Sequence, residues 1–255
     1  MARRLLSRLL LCLPLAVLAA CATAPPRQPI SDDARRALAL LAERYGEFTT
    51  MRALADVSLT RGGERQRAQG AVLIRAPRSV RLEALSPFGP PLMVLTVRDG
   101  QITTYNALKN EAMVGPADSE TISKVLRLQL EPDDLVSVLA GRFAGPRDLR
   151  SAEVLPPDSA GPSLEVVDGA GGRQRVWLDL GTGVIQQRQI YGSRFNATIK
   201  YRRDGAGALA GFDLDAAMSY VTAAVAYKNL VEGDEIDDER FTLAIPKGAK
   251  TQPIR

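Results

Sequence analysis

Apolar residues recur at every second position through most of this chain. Ala55, Val57 and Leu59 alternate with polar neighbours, as do Val80, Leu82 and Ala84, and again Val176, Leu178 and Leu180. A two-residue period sends one set of side chains to one face of a strand and the other set to the opposite face. The chain must therefore build sheet with one apolar and one wet face, and the apolar face has to be covered. Covers are present. Ala34, Ala37, Leu38, Leu41 and Tyr45 repeat at helical spacing. Ser31 is placed to cap that helix, Asp32 and Asp33 suit its first turn, and Gly46 is a stop.

The turns between strands are legible too. Gly62-Gly63 ends one run, Val72 and Ile74 lead to Pro77, and Leu92 to Val97 is almost continuously apolar. Asp99-Gly100 is a hairpin signal, and Ile102 to Asn106 returns from it. Glu111 to Val114 adds a short strand. Two helices then interrupt. The first follows Asp118 or Ser119 with Ile122, Val125 and Leu126 as its stripe. The second has Pro132 in its first turn, apolar Leu135, Val138 and Leu139, and Gly141 as its end. Residues 144–162 carry Pro146, Pro156, Pro157 and Pro162 and read as loop, with a short strand near Val154. Strands resume at Leu164 and Val166, turn at 169–172, and continue through Val176–Leu180, Val184–Tyr191, Ala197–Tyr201, Phe212–Tyr220 and Ala223–Leu230, with Phe241–Ile245 as a last candidate. The expected fold class is α+β: a single domain built as a curved antiparallel, incompletely closed β-barrel of ten or eleven strands with three covering helices.

The N-terminus carries an address. Arg3, Arg4 and Arg8 precede an apolar stretch from Leu9 to Ala20, broken by Pro14. A basic start, a short apolar run and small residues at the exit make a secretory signal, too short to cross a bilayer comfortably. Leu18-Ala19-Ala20-Cys21 resembles the bacterial lipobox. That resemblance implies a diacylglycerol on the Cys21 thiol, cleavage before Cys21 and acylation of the new amine. The alternative is an ordinary signal with an incidental cysteine. On the lipobox reading residues 1–20 are signal, 21–30 a lipidated and proline-rich tether, and 31–255 the domain. Pro25, Pro26 and Pro29 favour an extended tether, roughly 30 Å long at 3.1 Å per residue.

Composition narrows the chemistry. There is no histidine, and the two cysteines are Cys12, inside the signal, and Cys21. The commonest general base and metal ligand are missing, and no thiolate metal site or disulfide is expected. Lysine plus arginine total 33 against 29 acids, but residues 1–20 hold three of the arginines and no acid. The remainder is close to neutral, so a nucleic-acid footprint is not expected. No phosphate loop, nucleophile elbow or paired-carboxylate motif stands out; the chain does not read as an enzyme, and no cofactor or metal is expected.

The order helix, strands, two helices, strands behind a lipobox resembles the LolA/LolB-type proteins, and LolB-like receptors most. The stretch that carries it is Leu82-Glu83-Ala84-Leu85-Ser86-Pro87-Phe88-Gly89-Pro90-Pro91-Leu92, where LolB-like proteins have Pro-Leu-Gly on a loop between two strands. The similarity continues through Asp99-Gly100 and the helix pair at 118–141. A tryptophan usual before that loop is missing from residues 71–78; Trp177 is the only one. The resemblance implies an outer-membrane lipoprotein, anchored on the periplasmic face through Cys21, that takes lipoproteins from a soluble LolA-like carrier and binds their acyl chains. The loop Pro87, Phe88 and Gly89 would contact the membrane, with Phe88 at the position of the family's inserting leucine. Val80, Leu82, Ala84, Val176, Leu178 and Leu180 are the candidate acyl-cavity lining. A monomer is expected. The other function class is a structural or regulatory envelope lipoprotein, a ligand sensor or assembly accessory, on the same fold with a filled core.

Two charged stretches remain. Residues 232–239 are the most acidic; they do not match a calcium-loop spacing and read as a solvated loop. Lys200, Arg202 and Arg203 read as a solvated strand end, with anionic headgroups as the functional alternative.

Overall fold

The computed structural model describes residues 29–87, 89–126, 128, 130–191, 196–216, 218 and 220–254. Helix α1 (Asp32–Gly46) begins where Ser31 Oγ accepts the Ala34 N–H at 3.2 Å. It buries Ala34, Ala37 and Leu41. Strands β1 (Thr50–Arg61), β2 (Glu64–Arg75), β3 (Ser79–Ser86), β4 (Gly89–Arg98), β5 (Gln101–Asn106) and β6 (Glu111–Pro116) follow as an antiparallel meander. Helices α2 (Ser119–Leu126) and α3 (Pro132–Leu139) come next. A second meander holds β7 (Leu149–Asp158), β8 (Gly161–Asp168), β9 (Arg173–Leu178), β10 (Ile185–Tyr191), β11 (Asn196–Arg203), β12 (Leu209–Ala216) and β13 (Val221–Glu232). A 3-10 turn (Asp238–Phe241) and β14 (Lys250–Pro253) end the described chain.

All these strands form one sheet in the order β14-β6-β5-β4-β3-β2-β1-β13-β12-β11-β10-β9-β8-β7. The two meanders join where β1 pairs with β13, so the first and last long strands lie side by side at the centre. The end strands β14 and β7 do not pair, and the curved sheet stays open. Local chemistry sets its hairpins. Gly62 and Gly63, and likewise Asp99 and Gly100, take positive φ at both central positions, the turn that matches strand twist. Helix α3 ends at Gly141 in the left-handed region, where Arg142 N–H reaches the Ser137 carbonyl at 2.8 Å.

The sheet has fourteen strands among the described residues rather than ten or eleven. Residues 149–158 are a full strand despite Pro156 and Pro157, because β7 is the outermost strand and its ladder with β8 is bulged between Leu155 and Asp158, where the two N–H groups are missing. Residues 241–245 are not a strand; the last one is β14, which runs parallel to β6. The run 212–220 breaks at Ala216, and Tyr220 turns the chain with φ 52°. β2 begins eight residues before Val72, through the polar run Glu64–Gln69.

The acidic run is a loop with exposed carboxylates, as expected, and Ile236 pins it to the sheet. Leaving β13, the chain crosses the convex back of the sheet, where Ile236 and Phe241 bury against Leu73. Arginines from the sheet hold it: Arg52 Nη2 lies 2.8 Å from Asp234, and Arg75 pairs with Asp238. Arg98 donates to the Asp238 carbonyl at 2.6 Å, and Arg81 to that of Arg240 at 3.1 Å.

Candidate functional site

The concave face can be followed rung by rung across β1–β4. The lowest rung joins Met51, Ile74, Val80 and Val97, each buried. The next joins Ala53, Val72, Leu82 and Leu95, of which Leu82 is only half-buried. The third joins Ala55, Gly70, Ala84 and Met93, three small residues and one long one, and Met93 is 45% exposed. Above it, Val57 and Leu59 are half-buried, while Ala68 and Gln66 opposite them are exposed. Burial falls steadily from the lower strand ends, at Thr50 and Arg75, to the upper ends, at Arg61 and Glu64. Gly70 has its own constraint: a Cβ there would sit 2.8 Å from the Glu83 carbonyl oxygen of the neighbouring strand. The small third rung leaves the upper face shallow, and Val125, Leu126 and Leu128 are only partly buried against the core.

The other half of the sheet is closed. Leu164, Val166, Val176, Leu178, Ile185, Ile190, Ala197, Ile199, Phe212, Leu214 and Ala216 are all buried, from one end of their strands to the other. α1 and α3 supply the cover, with Leu135, Val136, Val138 and Leu139 in the same core. One charge is sealed inside. Arg188 of β10 is fully buried and pairs with Asp134 of α3. Its Nη1 donates to Ser137 Oγ at 2.7 Å, its Nε to Gln174 Oε1 at 2.9 Å, and its guanidinium lies 5.1 Å from the Phe143 ring centre. Such a pair is tolerated in low dielectric only because every polar arm has a partner. Nearby, burial pushes the Tyr201 hydroxyl up to about 12. Burial also raises Tyr227, whose hydroxyl donates to the Leu139 carbonyl at 2.8 Å and ties β13 to the end of α3.

Several grooves lie outside the concave face, and two have the most apolar walls. One of about 610 Å³ runs beside α1 and is lined by Ala37, Leu40, Val154 and Leu180 among others. The other, of about 440 Å³, lies on the convex face over Ala224 and Ala226, between Asp56, Gln69 and Arg202. Among the described residues no cluster of acidic or cysteine side chains is placed to hold a metal ion, and no helix is long and apolar enough to cross a membrane.

Known structures of the same shape are found. A DUF1329 family protein from Desulfovibrio piger superposes with a TM-score of 0.61 at 12% identity, covering 83% of this chain and 98% of its own. A proposed outer membrane lipoprotein-sorting domain from Vibrio parahaemolyticus gives 0.57 at 13% identity, covering 82% and 97%. A LolA superfamily protein from Nitrosomonas europaea gives 0.54 at 10% identity, covering 82% and 97%. The fold is of the LolA/LolB type. No family model matches the chain, and no curated protein sequence does.

Within this LolA/LolB-type sheet the expected site residues fall into three places. Val80, Leu82 and Ala84 lie on one strand of the open half and climb from buried to half-buried. Val176 and Leu178 lie in the closed half, packed in the core. Leu180 stands beyond the end of β9, 43% exposed, in the groove beside α1. Pro87 is exposed at the upper turn between β3 and β4, and Gly89 begins β4; Phe88 lies outside the described residues, as does Cys21. Lys200 and Arg202 share the convex face, where Arg202 pairs with Asp213 at 3.2 Å. Arg203 faces the other way and donates to the Ile185 carbonyl at 3.0 Å. The sealed Arg188 was missed from the sequence. Its signal was a charge two positions before Ile190, on the apolar phase of β10.

Proposed function

We propose that this protein is an outer-membrane lipoprotein of the periplasmic face that receives lipoproteins from a soluble LolA-like carrier and helps insert them into the bilayer. Residues 1–20 would be the signal, Cys21 the lipidated anchor, residues 21–30 the tether and 31–255 the acyl-binding domain. The observation that carries the reading is the burial gradient on β1–β4. Apolar side chains of one continuous face pass from sealed to half-open toward the end that bears the Pro87-Phe88-Gly89 loop. An acyl chain laid there removes its own surface and that of Val57, Leu59, Leu82, Ala84 and Met93 from water, worth about 25 cal/mol per Å². No bond is made or broken; the cargo moves to whichever surface buries it best. The names of the Vibrio and Nitrosomonas structures support a lipoprotein-handling role. Three acyl chains on Cys21, at about 0.8 kcal/mol per buried CH₂, would hold the protein at the membrane.

The test is lipid co-purification with the full chain carrying Cys21→Ala, followed by extraction and mass spectrometry. Bound acyl lipid supports the receptor. A chain that holds none, and takes up no fluorescent fatty acid, overturns it. The closed half, with Val176 and Leu178 packed, favours a second reading in that event: a structural or regulatory envelope lipoprotein on the same fold. Phe88→Glu addresses the loop; insertion of lipoproteins at the wild-type rate would remove Phe88 from the mechanism.

A further inference from the structure

The three most exposed large apolar side chains among the described residues lie at one end of the sheet. At the upper strand ends four turns stand side by side, because their strands are consecutive neighbours: β5–β6, β3–β4, β1–β2 and β12–β13. The first presents Leu108, 78% exposed, and the last presents Tyr220 and Met218, 79% and 53% exposed. Pro87 stands exposed on the second. A hydrogen bond from Gly62 N–H to the Tyr220 carbonyl, 3.2 Å, ties the third turn to the fourth. Tyr220 takes φ 52°, a conformation a bulky residue rarely adopts, and its ring is held in solvent. Beside the apolar tips lie exposed Arg61, Arg65 and Lys109, with Lys247 and Lys250 of the neighbouring turn before β14, against exposed Glu64 and Asp215 and the partly buried Glu111. The lower turns differ. They carry Asp99, Asp158, Asp179 and Asp204 against exposed Arg78, several glycines and one exposed large apolar side chain, Leu180.

We propose that these four upper turns are a docking surface for a phospholipid bilayer with anionic headgroups, entered by Leu108, Met218 and Tyr220 and held by Arg61, Arg65 and Lys109. Three apolar tips separated by cations match the layering of an interface, where acyl boundary and phosphates lie within a few ångströms of each other. A tyrosine suits that depth, with an apolar ring and a polar tip. A protein partner would also accept apolar tips, but the positive excess at this end and the negative one at the other complement an anionic plane. The proposal extends the receptor reading, since docking by this end would turn the half-open face of β1–β4 toward the leaflet, and it assigns contact to two turns on either side of the Phe88 loop.

The experiment uses the full chain with Cys12→Ala and Cys21→Ala, which leaves no thiol. Single cysteines are introduced as Leu108→Cys, Tyr220→Cys or Leu180→Cys and labelled with an environment-sensitive dye. Vesicles of phosphatidylglycerol and phosphatidylethanolamine, or of phosphatidylcholine alone, carry a nitroxide quencher in the acyl region. Dyes at 108 and 220 are expected to be quenched on the anionic vesicles and the dye at 180 is not. Adding Arg61→Gln and Arg65→Gln should lower the ratio of docked to undocked rim about fivefold for each arginine, with no change on phosphatidylcholine. Equal quenching at all three positions, or none at 108 and 220, overturns the proposal; the second result leaves the rim to a protein partner. Lipid extraction is scored separately. A chain that co-purifies with acyl lipid but is not quenched at the rim fails only this inference, and a quenched chain without bound lipid fails only the receptor.

Discussion

The two halves of the sheet solve the same problem differently. Both present an alternating apolar face to the concave side, and both have rungs of comparable residues. In β8–β12 the face is covered from end to end, and the cover is fixed by the sealed Arg188–Asp134 pair. In β1–β4 the cover stops partway: Val80 is sealed, Leu82 and Ala84 are half-buried, and Met93 stands in water. The difference lies in what is laid over the strands rather than in the strands. A covered face stabilises; a half-covered one gives up stability to keep a surface that another molecule can bury.

The sharpest way to break the contrast is to open the closed half. Asp134→Ala leaves a buried guanidinium without its countercharge and should cost about 3–5 kcal/mol in urea unfolding; a loss below about 1 kcal/mol would mean that the pair is not sealed in solution. Truncation compares the halves directly. Leu178→Ala should cost about 2–5 kcal/mol, and Leu82→Ala no more than about half as much, because its neighbours are already partly solvated. Equal losses would erase the distinction. Filling the open half is gentler. Ala84→Trp should weaken fluorescent fatty-acid binding several-fold while the unfolding midpoint stays near wild type; unchanged binding would place the acyl site elsewhere.

The smallest effect concerns the lower turns and the loop before α2. Trp177 Nε1–H donates to Asp158 at 2.9 Å, the Thr182 N–H to Asp179 at 2.7 Å, and the Thr121 N–H to Asp118 at 2.8 Å. These bonds hold the three carboxyls below the usual carboxylate range. Their folded values lie under the unfolded value near 4, so their contribution is complete above about pH 4 and is lost as pH falls through the folded values. The melting temperature by circular dichroism should be flat from neutral pH to about pH 5 and drop below pH 4, with a shallower drop in Asp179→Asn. A decline beginning near pH 6 would point to other groups, since the chain has no histidine.

Much of the fold could be read along the chain because it rests on neighbours in sequence. The cap at Ser31, the turns at Gly62-Gly63 and Asp99-Gly100, Pro132 at the start of α3 and Gly141 after it all follow from local backbone chemistry. The misses were of another kind. Pro156 and Pro157 looked like strand breakers until β7 proved to be an edge, and nothing local showed that the solvated acidic run is met by arginines from four different strands and loops.

The sequence by itself determined the period of each element, the turn positions and which side chains face inward, since those depend on φ, ψ and the two-residue alternation. Only the tertiary structure decided which inward face is sealed. Val80 and Ala84 read alike in the sequence, four residues apart on one strand, yet one lies in the packed core and the other on the shallow rung with Ala55 and Gly70. Whether an apolar side chain becomes core or binding surface depends on the element that comes to lie over it, and that element arrives from more distant parts of the chain.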